Sequence, residues 1–295
     1  LSRGGRGAWR RQAARPAAGR FTYCWAMTSQ ASPLELGANV DQSDPIAEAQ
    51  ARGVRIVQHS LGELQSWKGP KVLYPGGAAG LKDAAEQAGI GVYVHAPYVM
   101  NVASTNNRIR IPSRKLLQQH LSAAAEIGAR GLIVHGGHVT AEDDPAVGFE
   151  NWFKAIDGLR MDCPLLIENT AGGAHAMARR VDAIARLWEA ISQASGFDHV
   201  GFCLDTCHAH ASGEDLDDLV GRIKAITGRI DLVHVNDSRD AAGSGADRHA
   251  NLGKGQADPE FIMQVIRDAA APVIIETPGG VADHIADLDW IRTRL

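Results

Sequence analysis

The amino-acid sequence predicts an α/β protein built as a single-domain (β/α)8 TIM barrel. From residue 36 onward, short apolar segments rich in β-branched residues alternate with alanine-rich amphipathic segments. Continuous apolar strands separated by helices are typical of a parallel sheet that is covered on both faces. Eight such units in one domain fit a closed barrel, and a doubly wound open sheet is the competing architecture.

Eight strand–helix units follow one another along the chain. The predicted strands are Leu36–Val40, Val54–Gln58, Gly91–His95, Gly131–His135, Pro164–Glu168, Val200–Asp205, Ile230–Val235 and Val273–Glu276. The predicted helices are Asp44–Arg52, Ala78–Ala88, Ser113–Ile127, Asp144–Leu159, Ala174–Ser192, Leu216–Ile226, Pro259–Ala269 and Val281–Thr293. No stretch approaches the roughly 18 uninterrupted apolar residues of a membrane helix, so no membrane partner is expected.

Six consecutive strands carry a residue able to bind metal at or near their carboxyl ends. These residues are His95, His135, Glu168, Asp205, His234 and Glu276. In a parallel barrel all of these ends emerge on one rim, where catalytic residues of such barrels lie. An open sheet would spread the same groups along a line. The ligand pattern therefore favours a closed barrel.

Each of these groups has an ordinary explanation when it is taken alone. A single histidine at a strand end is more often a hydrogen-bonded structural residue, and an acid before a helix is often an N-cap. The segment Asp205-Thr-Cys-His208 could be a helix start, and Asp247-Arg-His249 could be a solvated loop. Six such groups on one rim are harder to explain, because clustered buried carboxylates need compensating charge. Metal ions would supply that charge.

The ligand types indicate zinc or a similar first-row ion. The candidates comprise five imidazoles and four carboxylates, once His208, Asp247 and His249 join the six strand-end residues. Calcium and magnesium prefer oxygen-only shells, whereas zinc accepts both types. Nine ligands fit two or three ions. Four carboxylates and three Zn²⁺ would leave a site charge of about +2, which attracts a phosphate and suits metal-assisted phosphodiester hydrolysis. Cys207, next to His208, is interpreted as a packing residue.

The distribution of charge limits how the chain could bind nucleic acid. Residues 1–26 hold six of the 30 Lys and Arg residues and none of the 34 Asp and Glu residues, so the remainder carries a net charge of about −10. Contact with DNA would therefore depend on local positive charge or on metal. Residues 1–30 are predicted to be a disordered basic extension, with a transit peptide as the alternative, and residues 31–295 the barrel domain. Four cysteines without a Cys-x-x-Cys pair are expected of a reduced, intracellular protein.

Several motifs, in this order, resemble the endonuclease IV family, the zinc-dependent apurinic/apyrimidinic endonucleases, over nearly all of residues 36–295. They are His95-Ala-Pro-Tyr98, Val134-His135-Gly-Gly, Ile167-Glu168-Asn-Thr-Ala-Gly172, Cys203-Leu-Asp205-Thr-Cys-His208, His234-Val-Asn-Asp-Ser238, Asp247-Arg-His-Ala-Asn-Leu-Gly253 and Ile275-Glu276-Thr-Pro278. Details such as Pro112-Ser-Arg and Lys224-Ala-Ile-Thr-Gly-Arg-Ile-Asp231 look most like actinobacterial members.

The resemblance implies three zinc ions and a DNA substrate. It assigns His95 and His135 to one ion, with Glu168 bridging to a second ion held by Asp205, His234 and Glu276. It assigns the third ion to His208, Asp247 and His249. The implied reaction is hydrolysis 5′ to an abasic site in double-stranded DNA, leaving a 3′-hydroxyl and a 5′-deoxyribose phosphate, together with trimming of blocked 3′ ends. Glu276 and Glu168 would be the catalytic carboxylates, and Glu276 would orient the attacking hydroxide. The protein is expected to be a monomer in the bacterial cytoplasm, associated with the nucleoid.

The resemblance also suggests which side chains contact DNA. Tyr98 and Val99 match the side chains that the family wedges into the duplex, and ordinary loop packing is the alternative. Arg239, Arg248 and Lys254 could meet phosphates, or could be solvated loop charges. Two departures affect lesion gripping: Gln65 stands where the family has an arginine that enters the helix, and Asn39 stands where a first-strand histidine is common. His59 has no ligand counterpart in the family.

Two other functions compete with DNA repair. Sugar isomerases and epimerases of the xylose isomerase-like barrels share the architecture and a carboxylate and histidine metal site on the same rim. They typically use one or two divalent ions, whereas His208, Asp247 and His249 indicate an additional ion. A non-catalytic protein that binds DNA lesions is the third interpretation, and a complete water-activating metal shell argues against it.

Overall fold

Eight parallel strands close into a barrel in the computed structural model, which describes residues 34–295. The strands are β1 (Leu36–Asn39), β2 (Ile56–Ser60), β3 (Gly91–His95), β4 (Gly131–His135), β5 (Leu165–Glu168), β6 (Val200–Asp205), β7 (Leu232–His234) and β8 (Val273–Ile275). Each strand pairs with its neighbours in sequence, and β1 closes the barrel against β8 through the pair Leu36 and Val273. The predicted TIM barrel is confirmed, and the open sheet is excluded. The predicted basic extension, residues 1–30, lies outside the described residues.

Nine α-helices lie between residues 34 and 295. They are α1 (Pro45–Arg52), α2 (Gly77–Ala88), α3 (Asn107–Glu126), α4 (Pro145–Gly158), α5 (Val181–Ile191), α6 (Thr206–Ser212), α7 (Leu219–Thr227), α8 (Pro259–Ala269) and α9 (Val281–Arg292). Three of them begin at the same Asp-Pro signal, in which an aspartate accepts a hydrogen bond from the first turn and proline occupies the first helical position. Within residues 34–295, we find no helix with the length and apolar character that membrane crossing requires.

Two predicted helix starts lie several residues from the observed ones, for local reasons. The α3 helix starts at Asn107 rather than Ser113, because the Asn106 side chain accepts a hydrogen bond from Arg108 N and caps it upstream of Pro112. The α5 helix starts at Val181 rather than Ala174, because His175–Ala176 pairs instead with His138–Val139 in an antiparallel ribbon. The possible helix start at Asp205-Thr-Cys-His208 is observed as the short α6 helix, with Asp205 as its N-cap.

The barrel interior is arranged in two rings of inward-facing side chains. The lower ring is apolar and consists of Ile56, Tyr93, Ile133, Leu166, Cys203, Leu232 and Ile274. Side chains of a strand alternate between its two faces, so the residue two positions later points the same way. That step gives the upper ring, which is polar: Gln58, His95, His135, Glu168, Asp205, His234 and Glu276. The strand period therefore stacks the upper ring, which we call the polar ring, directly on the lower ring, which we call the apolar floor.

Candidate metal centre

Nine predicted ligand residues come together in three groups at the carboxyl-end rim. Within each group the candidate ligand atoms lie within 4.8 Å of one another. The groups, which we call the first, second and third groups, are His95, His135 and Glu168; Glu168, Asp205, His234 and Glu276; and His208, Asp247 and His249. These sets are the same as those that the family resemblance implied.

Glu168 connects the first group to the second. Its carboxylate is fully buried at the end of β5. One oxygen, Oε2, lies 3.2 Å from His95 Nε2 and 3.3 Å from His135 Nε2. The other oxygen, Oε1, lies 2.9 Å from His234 Nδ1. Because each oxygen faces a different group, the carboxylate has the placement that a bridge between two ions requires.

Two asparagines hold Asp205 and Glu276 of the second group in place. Asn236 Nδ2 donates to Asp205 Oδ2 at 2.7 Å, and Asn236 Oδ1 accepts from the Glu276 backbone N–H at 2.8 Å. Asn169 Oδ1 accepts from the Asp205 backbone N–H at 2.7 Å, which ties the ends of β5 and β6 together. Neither asparagine was predicted from the sequence, although each lies one or two residues after a candidate ligand.

The third group depends on how α6 begins. Asp205 caps this helix, since its Oδ1 accepts from the His208 backbone N–H at 2.7 Å. The cap places the His208 ring over the rim, where Nε2 lies 3.0 Å from Asp247 Oδ1. His249 approaches from a ribbon formed with Asp237–Ser238, and its Nε2 lies 3.1 Å from the same oxygen. Asp205 is thus a helix cap, which is the ordinary explanation for an acid before a helix. It also lies in the second group.

The ring nitrogens facing away from the groups are held by hydrogen bonds that orient the histidines. His95 Nδ1 donates to the Ala96 carbonyl at 2.7 Å, and His208 Nδ1 donates to the Asn169 carbonyl at 2.9 Å. His249 Nδ1 lies 3.3 Å from the Glu276 carbonyl. Such bonds fix the tautomer in which Nε2 is free to bind metal.

A metal fits the third group, as its unsatisfied atoms show. His208 Nε2 and His249 Nε2 are buried, and although Asp247 Oδ1 lies near both, neither makes a hydrogen bond of acceptable geometry. Leaving a buried polar atom unpaired costs on the order of 1–3 kcal/mol. A cation shared with the Asp247 carboxylate would satisfy both nitrogens. The donor set of two imidazoles and a carboxylate, with room for water, is one that zinc accepts.

Within the site, burial and neighbouring charges shift the pKa values of both the acids and the imidazoles. Burial alone would raise the pKa of Glu168, but the His234 and His135 imidazoles outweigh it and hold that pKa well below its usual range. Burial opposes protonation of His249, yet Asp247 and Asp205 raise its pKa to about 9. Because metals bind the deprotonated nitrogen, metal ions and protons compete for the same positions.

The loop that carries Asp247 is docked onto the rim through glycines. Gly243 N donates to the His210 carbonyl at 3.1 Å, and Gly245 N donates to the Ala211 carbonyl at 2.8 Å. On the other side, Gly172 packs so closely that a Cβ there would lie 2.3 Å from the Gly245 carbonyl oxygen. The position of Asp247 therefore depends on the absence of a side chain at residue 172.

We expect Gly172→Ala to weaken metal binding at the third group by about 10-fold or more, because the added methyl group must push the Asp247 loop outward. Titration with a competing chelator would measure this loss. The matched control is Gly158→Ala at the end of α4, where a Cβ meets nothing within 4 Å. Equal metal retention by both variants would contradict the role of this close approach.

A cleft lies beside the first and third groups and is lined in part by two of the predicted DNA-contact residues. Its volume is about 420 Å³, and Tyr98 and Val99 line one side. The half-exposed Tyr98 ring stacks on the His135 ring with a centroid distance of 5.4 Å. Lys254 is exposed, and Arg239 Nε donates to the His249 carbonyl. Their roles towards DNA stay predictions.

Two features limit the DNA-contact surface that the sequence predicts: the pairing of Arg248, and the residues at positions 65 and 39. Arg248 is largely exposed, but its guanidinium is paired with Asp240, with Nε donating to Oδ2 at 2.8 Å. Gln65 is exposed on the loop after β2, and Asn39 is partly buried at the end of β1. A phosphate that reached Arg248 would have to share its guanidinium with Asp240.

Comparison with known proteins agrees with the motifs. The family model described as xylose isomerase-like TIM barrel matches residues 46–294. A Mycobacterium marinum protein named "Probable endonuclease 4" is 58% identical over 254 residues, which cover 86% of this chain and 97% of that protein. Endonuclease IV from Thermus thermophilus has a TM-score of 0.74 at 28% identity, covering 88% of this chain and 98% of that one. A D-tagatose 3-epimerase-like protein, at 15% identity with 88% and 96% covered, has a TM-score of 0.72 and shares the fold. With its ligand-bearing motifs and these likenesses, the chain belongs to the endonuclease IV family.

Proposed function

We propose that this chain is a zinc-dependent DNA repair endonuclease. It hydrolyses the phosphodiester bond 5′ to abasic sites, leaving a 3′-hydroxyl and a 5′-deoxyribose phosphate, and it trims blocked 3′ ends. The observation that carries the proposal is the arrangement of nine ligand-type residues in three groups, the first two of which share the buried Glu168 carboxylate. Membership of the endonuclease IV family supports the same reaction.

Three zinc ions account for the donor set. His95 and His135 would hold the first, Asp205, His234 and Glu276 the second, and Glu168 would bridge them. His208, Asp247 and His249 would hold the third. When bound, zinc would supply Lewis acidity, which lowers the pKa of water and stabilises charge on a phosphate and its leaving oxygen. With about +2 net charge, the loaded site would attract a phosphate despite the acidic barrel.

The protein's own side chains would position the DNA around this centre. The cleft beside the first and third groups offers an apolar wall at Tyr98 and Val99, which suits a sugar that lacks its base. Burial raises the pKa of Tyr98, so its hydroxyl stays protonated and can donate a hydrogen bond. Arg239 and Lys254, and Arg248 when it is shared with Asp240, would meet backbone phosphates. These contacts would orient the bond to be cut towards the carboxylate of Glu276.

A sugar epimerase is the weaker candidate for this rim. The epimerase-like neighbour shares the barrel at 15% identity, which shows the fold alone. The third group favours the nuclease, because it adds two imidazoles and a carboxylate beyond the first two groups. All nine residues come from one chain, which supports action as a monomer. Since the proposed substrate is chromosomal DNA, we expect that action in the bacterial cytoplasm, at the nucleoid.

The deciding experiment is incision of a labelled duplex that contains one synthetic abasic site, without added magnesium. We expect a single cut on the 5′ side, no cut in the matched intact duplex, and about three zinc equivalents per chain by elemental analysis. A single magnesium-type ion would contradict the trinuclear assignment. Epimerisation or ketose–aldose interconversion of a sugar, without DNA cleavage, would establish a sugar epimerase or isomerase instead.

A further inference from the structure

Gln58 occupies the polar ring without belonging to any of the three groups. It follows Ile56 of the apolar floor by two residues on β2, so its side chain points into the barrel beside the strand-end ligands. The side chain is completely buried, with no exposed surface. A primary amide is a poor zinc ligand compared with imidazole or carboxylate. Its burial among ligands therefore needs another reason.

The Gln58 amide contacts two members of the second group on their far sides. Its Oε1 accepts from His234 Nε2 at 2.8 Å, and its Nε2 donates to Glu276 Oε1 at 2.6 Å. The near sides of the same residues face each other, since His234 Nδ1 lies 3.2 Å from Glu276 Oε2. One amide thus supports both a histidine and a carboxylate from behind.

A neutral amide can make both contacts at once, and a charged side chain cannot. It has an acceptor end and a donor end, whereas a carboxylate only accepts and an ammonium only donates. The acceptor end holds the proton of His234 on Nε2, which leaves the Nδ1 lone pair directed at the second group. The donor end occupies one oxygen of Glu276 and leaves the other directed inward. No other side chain in the described part of the chain hydrogen-bonds to His234 Nε2.

We infer that Gln58 is a positioning residue for the second metal group, which fixes the tautomer of His234 and the orientation of Glu276. This inference rests on the proposed zinc-dependent function. Partners of this kind behind metal ligands typically contribute 10–100-fold to metal affinity. The effect should fall on the second group, because both hydrogen-bond partners of the amide belong to it.

The test compares Gln58→Met, which keeps the length but removes both hydrogen bonds, with Gln50→Met on the exposed face of α1. We expect Gln58→Met to lose about one zinc equivalent at a chelator concentration that the parent protein withstands, because its affinity is about 10–100-fold weaker. The cobalt-substituted variant should show an altered visible absorption spectrum, and kcat should fall more than KM rises. Parent-like zinc retention with a parent-like cobalt spectrum would overturn the inference.

A second variant keeps the test decisive if Gln58→Met does not fold. Gln58→Glu retains the acceptor for His234 but sets a carboxylate against Glu276, so we expect lower kcat and a changed cobalt spectrum. A parent-like result in both measurements would again overturn the role. The parent protein distinguishes the positioning role from the proposed function. If the parent holds zinc and cuts abasic DNA, and the Gln58 variants do the same, only the positioning role is refuted. A parent that does neither refutes the proposed function.

Discussion

Glu276→Gln is expected to lower kcat for abasic-site incision by about 10²–10⁴-fold, while binding of abasic duplex survives. The substitution preserves shape but removes the negative charge from the second group. It also leaves one acceptor oxygen where Glu276 has two, so that oxygen can face either Gln58 Nε2, which now donates to Glu276 Oε1 at 2.6 Å, or the second group. In the proposed function, the cleft wall and the basic loop residues hold the DNA, and this change does not touch them.

Single-turnover cleavage and fluorescence anisotropy with a labelled abasic duplex would measure the two effects separately. Glu142→Gln, an exposed substitution in the loop before α4, is the matched control. Near-normal turnover by Glu276→Gln would refute its assigned role. Loss of DNA binding in parallel with cleavage would instead indicate that Glu276 supports the binding surface.

Glu168→Gln is expected to reduce the bound zinc from about three equivalents to about one and to abolish detectable incision. Glu168 supplies an oxygen to both the first and the second group, so replacing one oxygen by an NH₂ group removes a ligand from one of them and the bridging charge from both. The imidazoles of His95, His135 and His234 would then face each other without the carboxylate that now lies within 3.3 Å of each. The third group keeps its own carboxylate, Asp247.

Elemental analysis after gel filtration would count the ions, with the exposed Glu86→Gln on α2 as the control. Thermal unfolding should also shift, because metal ions that bind only the folded state stabilise it. Retention of three equivalents by Glu168→Gln would exclude a bridging role for this carboxylate.

The barrel and the grouping of its rim residues could be predicted because both follow from periodicity. Strand ends in a parallel barrel must share a rim, so His95, Glu168 and Glu276 had to come together once closure was assumed. The spacing within Asp205-Thr-Cys-His208 similarly limits where that imidazole can lie. Local rules of this kind need no knowledge of distant contacts.

What the sequence did not reveal depended on contacts between distant residues. The ribbon between His138–Val139 and His175–Ala176 delays the start of α5, and nothing near residue 175 indicates a partner so far upstream. Gln58 was assigned only as a strand end, because its two partners, His234 and Glu276, lie 176 and 218 residues further along the chain. A step of two residues from Ile56 would have pointed to it, once the apolar floor was known.

The two-residue step between the apolar floor and the polar ring limits how this barrel can evolve. Adding or deleting one residue within a strand would reverse that strand's members of both rings, placing an apolar side chain where a candidate metal ligand stood and the ligand against the helices. Strand length and metal chemistry are therefore inherited as one unit. The loops beyond the rim carry no such restriction, so insertions and substitutions there can change which lesion the protein accepts while the chemistry persists. Libraries aimed at new substrates should vary those loops and leave strand lengths unchanged.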